Sequence, residues 1–139
     1  MCGIVGYTGG NPAKDILFRN LQKLEYRGYD SAGIALQTDD GLQVVRRLGK
    51  VANLVDASRE ASDTATCGIA HTRWATHGRP SEANAHPHRS CDNKVAVCHN
   101  GIVENHAELR ERLRSEGHAF RSETDTEVVA HLVEKYYRG

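Results

Sequence analysis

The first strand-forming run of this chain starts at its second residue, so whatever sheet forms must carry its opening strand at the very start of the polypeptide. Ile4 and Val5 are β-branched, Tyr7 and Thr8 favour strands, and Gly9-Gly10-Asn11 ends the run, giving a strand over residues 2–8. Asn11 is a good N-cap and Pro12 suits a first helical position. Ile16, Leu17, Leu21 and Leu24 then recur at helical spacing as far as Tyr26, and Gly28 stops that helix. Residues 32–38 and 42–48 are strand-like on either side of Asp39-Asp40-Gly41, which predicts a hairpin.

The second half alternates more loosely. Residues 51–62 read as a weak helix through Leu54, Val55 and Ala61, residues 68–72 as a strand running into a loop, and residues 94–99 as a further strand. Ala107, Leu109 and Leu113 predict an amphipathic helix over 104–116, ended by Gly117. Thr124 with Glu127 reads as a capping box for a last helix through Val128, Val129, Leu132 and Val133, which puts Asp125 in its first turn. Residues 74–93 show no period and hold Gly78, Pro80 and Pro87; such loops inside compact domains are more often functional than idle. Strands and helices alternating behind an early hairpin indicate α/β or α+β layering.

Charge excludes several classes of function. With 18 Lys and Arg against 18 Asp and Glu, and no run of five like charges, the chain has no basic field for nucleic acid or a membrane surface. Its longest apolar stretches, such as Val95-Ala96-Val97-Cys98, fall far short of the ~18 residues of a spanning helix. No cationic segment precedes the apolar start, so a cytoplasmic location is expected, with Cys2, Cys67, Cys91 and Cys98 as free thiols. No cofactor is implied. A metal module built on His86, His88, Cys91, Cys98 and His99 lacks the tight cysteine pairs of a zinc site, so no metal is expected, and His106, His118 and His131 read as surface residues.

Four segments carry chemistry. Cys2 becomes the first residue if Met1 is removed, which a small second residue permits. A thiol of pKa ~8.5 beside an α-amine of pKa ~7.7–8.0 then puts a nucleophile and its base on one residue. The Asn100 carboxamide and the Gly101 N–H can aim two donors at one point, as an oxyanion requires, although Asn-Gly at a strand end also serves as a plain turn. Arg73-Trp74-Ala75-Thr76-His77-Gly78 offers a planar fork for a carboxylate with Thr76 and His77 as further donors, a large shielding face in Trp74 and a hinge in Gly78; an ordinary salt bridge and a core Trp are the competing reading. An ionised Asp125 can pair with a substrate ammonium, or be merely a helix-start acid.

Taken in order, Cys2-Gly3-Ile4-Val5-Gly6, the run from Leu24 through Tyr26-Arg27-Gly28-Tyr29-Asp30 to Gly33, His71-Thr72-Arg73-Trp74-Ala75-Thr76-His77-Gly78, Asn84-Ala85-His86-Pro87-His88, His99-Asn100-Gly101 and Ser122-Glu123-Thr124-Asp125-Thr126-Glu127 resemble the glutaminase domain of the glucosamine-6-phosphate synthases. These belong to the class II, N-terminal-nucleophile amidotransferases. Residues 26–33 are closer to that group than to the purine-pathway phosphoribosyl transferase or asparagine synthetase. The resemblance implies an α+β fold, a four-layer αββα sandwich. It implies hydrolysis of free L-glutamine to glutamate and ammonia, with the ammonia passed to fructose 6-phosphate in an isomerase domain absent from this chain, and a homodimer for the full-length protein. It assigns catalysis to Cys2, Asn100 and Gly101, and substrate binding to Arg73, Trp74, Thr76, His77 and Asp125. The family's domain continues past residue 139, so residues 1–139 are its N-terminal part, and exposed apolar sheet edges and faces are expected.

Overall fold

The computed structural model describes residues 1–138. Four strands, β1 (Gly3–Thr8), β2 (Ser31–Thr38), β3 (Gly41–Leu48) and β4 (Cys67–Arg73), form one fully antiparallel sheet in the order β1-β4-β2-β3. Helices α1 (Ala13–Leu24) and α2 (Val51–Ala57) cover one face of it. On the other side lie a two-stranded ladder, β5 (His88–Arg89) with β6 (Ala96–Val97), and beyond it α3 (His106–Ser115) and α4 (Glu127–Tyr136). The layer order is α, β, β, α, and the class is α+β.

Strand alternation explains both faces of the central strands. Ala32, Ile34 and Leu36 of β2 and Ala70 of β4 turn toward Leu17, Phe18 and Leu21 of α1 and Val51 and Leu54 of α2, forming the apolar core. The opposite face carries Ser31, Gly33 and Ala35 from β2 with His71 and Arg73 from β4. These small residues on β2 let the irregular segment 83–87 lie flat on the sheet. Gly33 is the tightest point, since a Cβ there would run into the His86 backbone carbonyl. Arg46 pins the same segment by donating to the Ala83 and Ala85 carbonyls at 3.3 Å each.

Several boundaries differ from the sequence expectation for identifiable reasons. The first helix starts at Ala13 with Pro12 as its cap and no side-chain capping bond, so Asn11 is not the N-cap. The weak helix expected to residue 62 ends at Ala57. Ser58 Oγ donates back to the Leu54 carbonyl at 2.7 Å, and the chain then wraps the buried Lys14 ammonium, which donates to the Ser58 and Ala61 carbonyls and pairs with Asp63. The strand expected over 94–99 shrinks to Ala96–Val97. The Lys94 and Val95 amides are spent on Ser90 Oγ in a tight turn, and the His99 amide on His86 Nδ1. Gly117, at φ +98°, stops α3 as read.

The expected capping box does not form. Glu127 turns back to accept the Arg121 and Ser122 amides at 2.7 Å each and the Ser122 hydroxyl, while the Thr124 hydroxyl bonds to His88 Nε2 at 2.7 Å. Helix α4 therefore starts at Glu127, and Asp125 lies ahead of it rather than in its first turn. Apolar surface is exposed, as expected of a sheet edge, at Ile4 on β1, and also at Val133 and Tyr136 on α4 and at Tyr137 just after it. Among the described residues, β1 and β3 are open edges and no helix is long and apolar enough to cross a membrane. Gly33→Ala is expected to lower the unfolding free energy by about 2 kcal/mol or more in urea denaturation. Gly10→Ala, whose added carbon meets nothing within 4 Å, should change it by no more than about 0.5 kcal/mol.

Candidate active site

Gly3 pairs with Thr72 in the β1–β4 ladder, so one further step sets Cys2 across from Arg73, at the end of the sheet where β4 opens into the irregular loop. The Trp74 backbone grips the sulfur from both sides. Its N–H donates to Cys2 Sγ at 3.2 Å, and the thiol reaches its carbonyl at 3.4 Å. Gly28 makes this approach possible, because a Cβ at that position would sit 2.9 Å from the Arg73 carbonyl carbon and the Trp74 nitrogen. The Asp30 carboxylate fastens the loop by accepting the Ala75 amide.

A cleft of about 500 Å³ opens over the sulfur, and all eight residues singled out in the sequence line it. Asn100 Nδ2 donates to the Cys2 carbonyl at 3.2 Å, leaving its second proton for a ligand. Gly101 follows, packed so closely on His99 that a Cβ would lie 2.7 Å from the imidazole Nε2. Arg73 is buried, and its guanidinium holds the loop from within by donating to the carbonyls of His77, Gly78 and Arg79. Its Nε–H and one terminal N–H remain. Thr76 and His77 are exposed at the rim, His77 against His106 in an edge contact with centroids 4.6 Å apart. Trp74 is half exposed at the mouth, with its ring edge-on to Tyr29. Asp125 is buried on the far side, where one carboxylate oxygen accepts the Val103 amide at 2.7 Å.

Sequence reasoning assigned no role to three residues that build this geometry. Arg27 Nε donates to the Cys2 carbonyl at 3.3 Å, Asp30 holds the loop, and His71 orients Asn100. Asn100 Oδ1 carries no proton, so His71 Nε2 must be the donor across their 2.8 Å contact, and that bond turns the amide N–H₂ toward Cys2. The only available signal was the alternation along β4, which puts His71 on the same face as Arg73. The Met1 ammonium donates to the Arg27 carbonyl at 2.6 Å. With Met1 attached, the Cys2 nitrogen is a peptide N–H that cannot accept a proton.

Behind the cleft lies a column of imidazoles. His71 stacks on His86 with centroids 4.2 Å apart, and His86 contacts His88 at 4.7 Å. Burial drives all three toward the neutral form. His71 falls to about 4 despite its bond to Asn100, and His88 to about 3 with Arg46 and Arg73 adding to burial against Glu127; His86 is pushed down by burial and then by its histidine neighbours. Burial likewise raises the Cys98 thiol, which keeps it protonated and unreactive. The five-residue metal module is not assembled: His86 and His88 are buried in this column, while Cys91 lies with His118, His131 and Glu134. His131 is fully buried, not a surface residue.

The αββα layering, with a cysteine set at a cleft just ahead of the first strand, is shared with the glutaminase-type domains of the N-terminal-nucleophile amidotransferases. The chain belongs to the glutamine amidotransferase domain family, whose model matches residues 54–138. It is 58% identical over 139 residues to the isomerising glutamine–fructose-6-phosphate aminotransferase of Thermus thermophilus, and 56% identical to that of Aquifex aeolicus, in each case over the whole of this chain. The chain spans 23% and 24% of the length of those relatives. Among solved structures it is similar to the glutamine phosphoribosylpyrophosphate amidotransferase of B. subtilis complexed with ADP and GMP, with TM-score 0.80 and 27% identity over all of this chain and 30% of that one. A structure of the allosteric regulatory enzyme of purine biosynthesis matches with TM-score 0.81 and 28% identity, again over all of this chain and 30% of that one.

The neutral imidazoles make stability depend on pH. Each has a folded pKa below its unfolded value near 6.5, so the unfolded chain takes up protons first as pH falls. The contribution of these three imidazoles to the unfolding free energy should be level above about pH 6.5 and fall toward pH 4 by up to about 1.4 kcal/mol per pH unit per histidine. His131, held protonated by Glu127 and Glu134 against burial, contributes in the opposite sense and loses its share as pH rises. Denaturant titrations at pH 7, 5.5 and 4.5 (about these values) check this; a free energy unchanged across them would contradict the buried neutral column.

Proposed function

We propose that this chain is the glutamine-hydrolysing part of an isomerising glutamine–fructose-6-phosphate aminotransferase. The observation that carries the proposal is the convergence of Cys2, Asn100, Gly101, Arg73 and Asp125 on one cleft. Once Met1 is removed, the Cys2 amine takes the thiol proton and the sulfur attacks the side-chain amide carbon of free L-glutamine. Asn100 Nδ2 and the Gly101 N–H receive the oxyanion. The C–N bond then breaks, the amine returns its proton to the departing ammonia, and water cleaves the thioester to give glutamate and the free thiol.

Arg73, Thr76 and His77 bind the α-carboxylate, and Asp125, buried with one oxygen still uncommitted to Val103, binds the α-ammonium. Fixing both charged ends holds the amide at a set distance from the sulfur, which is catalysis by orientation. Trp74 belongs to a loop that closes over the substrate. No cofactor takes part in this chemistry. The ammonia passes to fructose 6-phosphate in a domain outside this chain, within a homodimeric, cytoplasmic full-length protein.

A second reading, an inactive fragment that must pair with further chain, draws on the open edges of β1 and β3 and on exposed Val133, Tyr136 and Tyr137. Glutamine hydrolysis by Met1-trimmed, folded, monomeric protein would exclude it.

Substitutions at three positions test the chemistry. Asn100→Ala should lower kcat by about 10²–10³ through loss of an oxyanion donor, and Cys2→Ser should reduce ammonia release to background. His71→Phe keeps the stacked, buried ring but removes the donor to Asn100. It should lower kcat by roughly tenfold, the worth of one misdirected hydrogen bond, with little change in KM. His71→Gln, which restores an N–H, should recover part of the loss.

A further inference from the structure

Outside the cleft that holds the sulfur, three separate segments bring together a thiol, two imidazoles and a carboxylate. Cys91 comes from the turn after β5, His118 from the α3–α4 connection, and His131 and Glu134 from one face of α4. Their ligand atoms all lie within 4.8 Å of one another. We propose that Cys91 Sγ, His118 Nδ1, His131 Nδ1 and a Glu134 carboxylate oxygen form a structural zinc site, independent of the glutaminase cleft.

The donor set fits the ion. One soft sulfur, two imidazole nitrogens and one carboxylate oxygen are the ligands zinc takes in four-coordinate tetrahedral sites, and a closed set of four protein ligands is structural in kind. Metal–ligand lengths of about 2.3 Å for sulfur and 2.0–2.1 Å for nitrogen imply a tetrahedral S–N edge of about 3.6 Å. Cys91 Sγ and His131 Nδ1 are 3.7 Å apart. Glu134 Oε2 lies 2.7 Å from His118 Nδ1 and 3.0 Å from His131 Nδ1, so those edges need to open by about 0.6 and about 0.3 Å, to about 3.3 Å.

The surroundings orient the ligands as a metal would require. His131 Nε2, on the side of the ring away from the cluster, faces Glu127 Oε1 at 3.3 Å, which directs Nδ1 inward in the carboxylate–histidine arrangement typical of zinc. The Ala119 amide donates to Cys91 Sγ at 3.2 Å, a contact that favours a thiolate. The Asp92 amide donates to the other Glu134 oxygen at 3.0 Å, which keeps Oε2 turned to both histidines. The ion would tie the 88–97 hairpin and the α3–α4 connection to α4.

The experiment is a titration of the full chain with cobalt(II), a spectroscopic stand-in for zinc, together with zinc content by elemental analysis. One cobalt per chain is expected, with thiolate-to-cobalt charge-transfer absorption and the visible bands of tetrahedral cobalt, all displaced by one zinc. Cys91→Ser should abolish the charge-transfer band and Glu134→Gln should weaken binding at least tenfold, while Cys67→Ser and Cys2→Ala leave the spectrum unchanged. Absence of a thiolate band in the wild-type chain overturns the proposal without recourse to any variant. So does a band that persists in Cys91→Ser or vanishes in Cys2→Ala. Because the readout is metal binding, its failure leaves the glutaminase reading standing, and the reverse holds too.

Discussion

The register of β1 against β4 is the constraint on which the rest of the site depends. Pairing Gly3 with Thr72 delivers Cys2 to the point where β4 leaves the sheet, and there the Trp74 backbone closes on the sulfur. A slip of one residue would exchange the two faces of β1 and carry the thiol away from both Arg73 and Asn100. Gly28 and Gly33 protect this arrangement by keeping two backbone crossings free of side chains. One lies beneath Trp74 and the other beneath His86.

Behind the sulfur, electrostatics are arranged through neutrality. The buried imidazoles of His71, His86 and His88 stay uncharged because burial penalises the imidazolium and Arg73 adds a positive field, most directly at His71. A neutral His71 has a single ring N–H, and spending it on Asn100 Oδ1 fixes which way the carboxamide points. Its own Nδ1 is left buried without a partner, so the orientation of Asn100 is maintained at a cost in stability. Arg73 has a similarly divided role, holding loop carbonyls with one side of its guanidinium and facing the cleft with the rest.

Much of this was legible in the sequence. The β-branched Ile4 and Val5 with Tyr7 and Thr8 marked β1, Asp-Gly marked the β2–β3 hairpin, and the aperiodic stretch after Arg73 marked the loop that roofs the cleft. The eight residues chosen for their chemistry converge there. What escaped were elements whose limits are set by distant donors. Ser90 and His86 take the amides that would have extended β6, and Glu127 prefers the amides of residues 121 and 122 to a capping box. Likewise Cys91, His118 and His131 have no recognisable spacing along the chain, because their meeting is made by the packing of α4 on β5 and on the α3–α4 connection.

Catalysis here needs the sulfur and the amine of the same residue to act together, so the most direct measurement compares the chain with and without Met1 against a thiol-directed electrophile shaped like glutamine, followed by intact-protein mass across pH. The trimmed chain is expected to gain one adduct at Cys2, at a rate that rises with deprotonation of an α-amine of pKa near 7.7–8.0, while the Met1-bearing chain stays unlabelled. Equal labelling of both forms, or an adduct elsewhere in the chain, would contradict that cooperation.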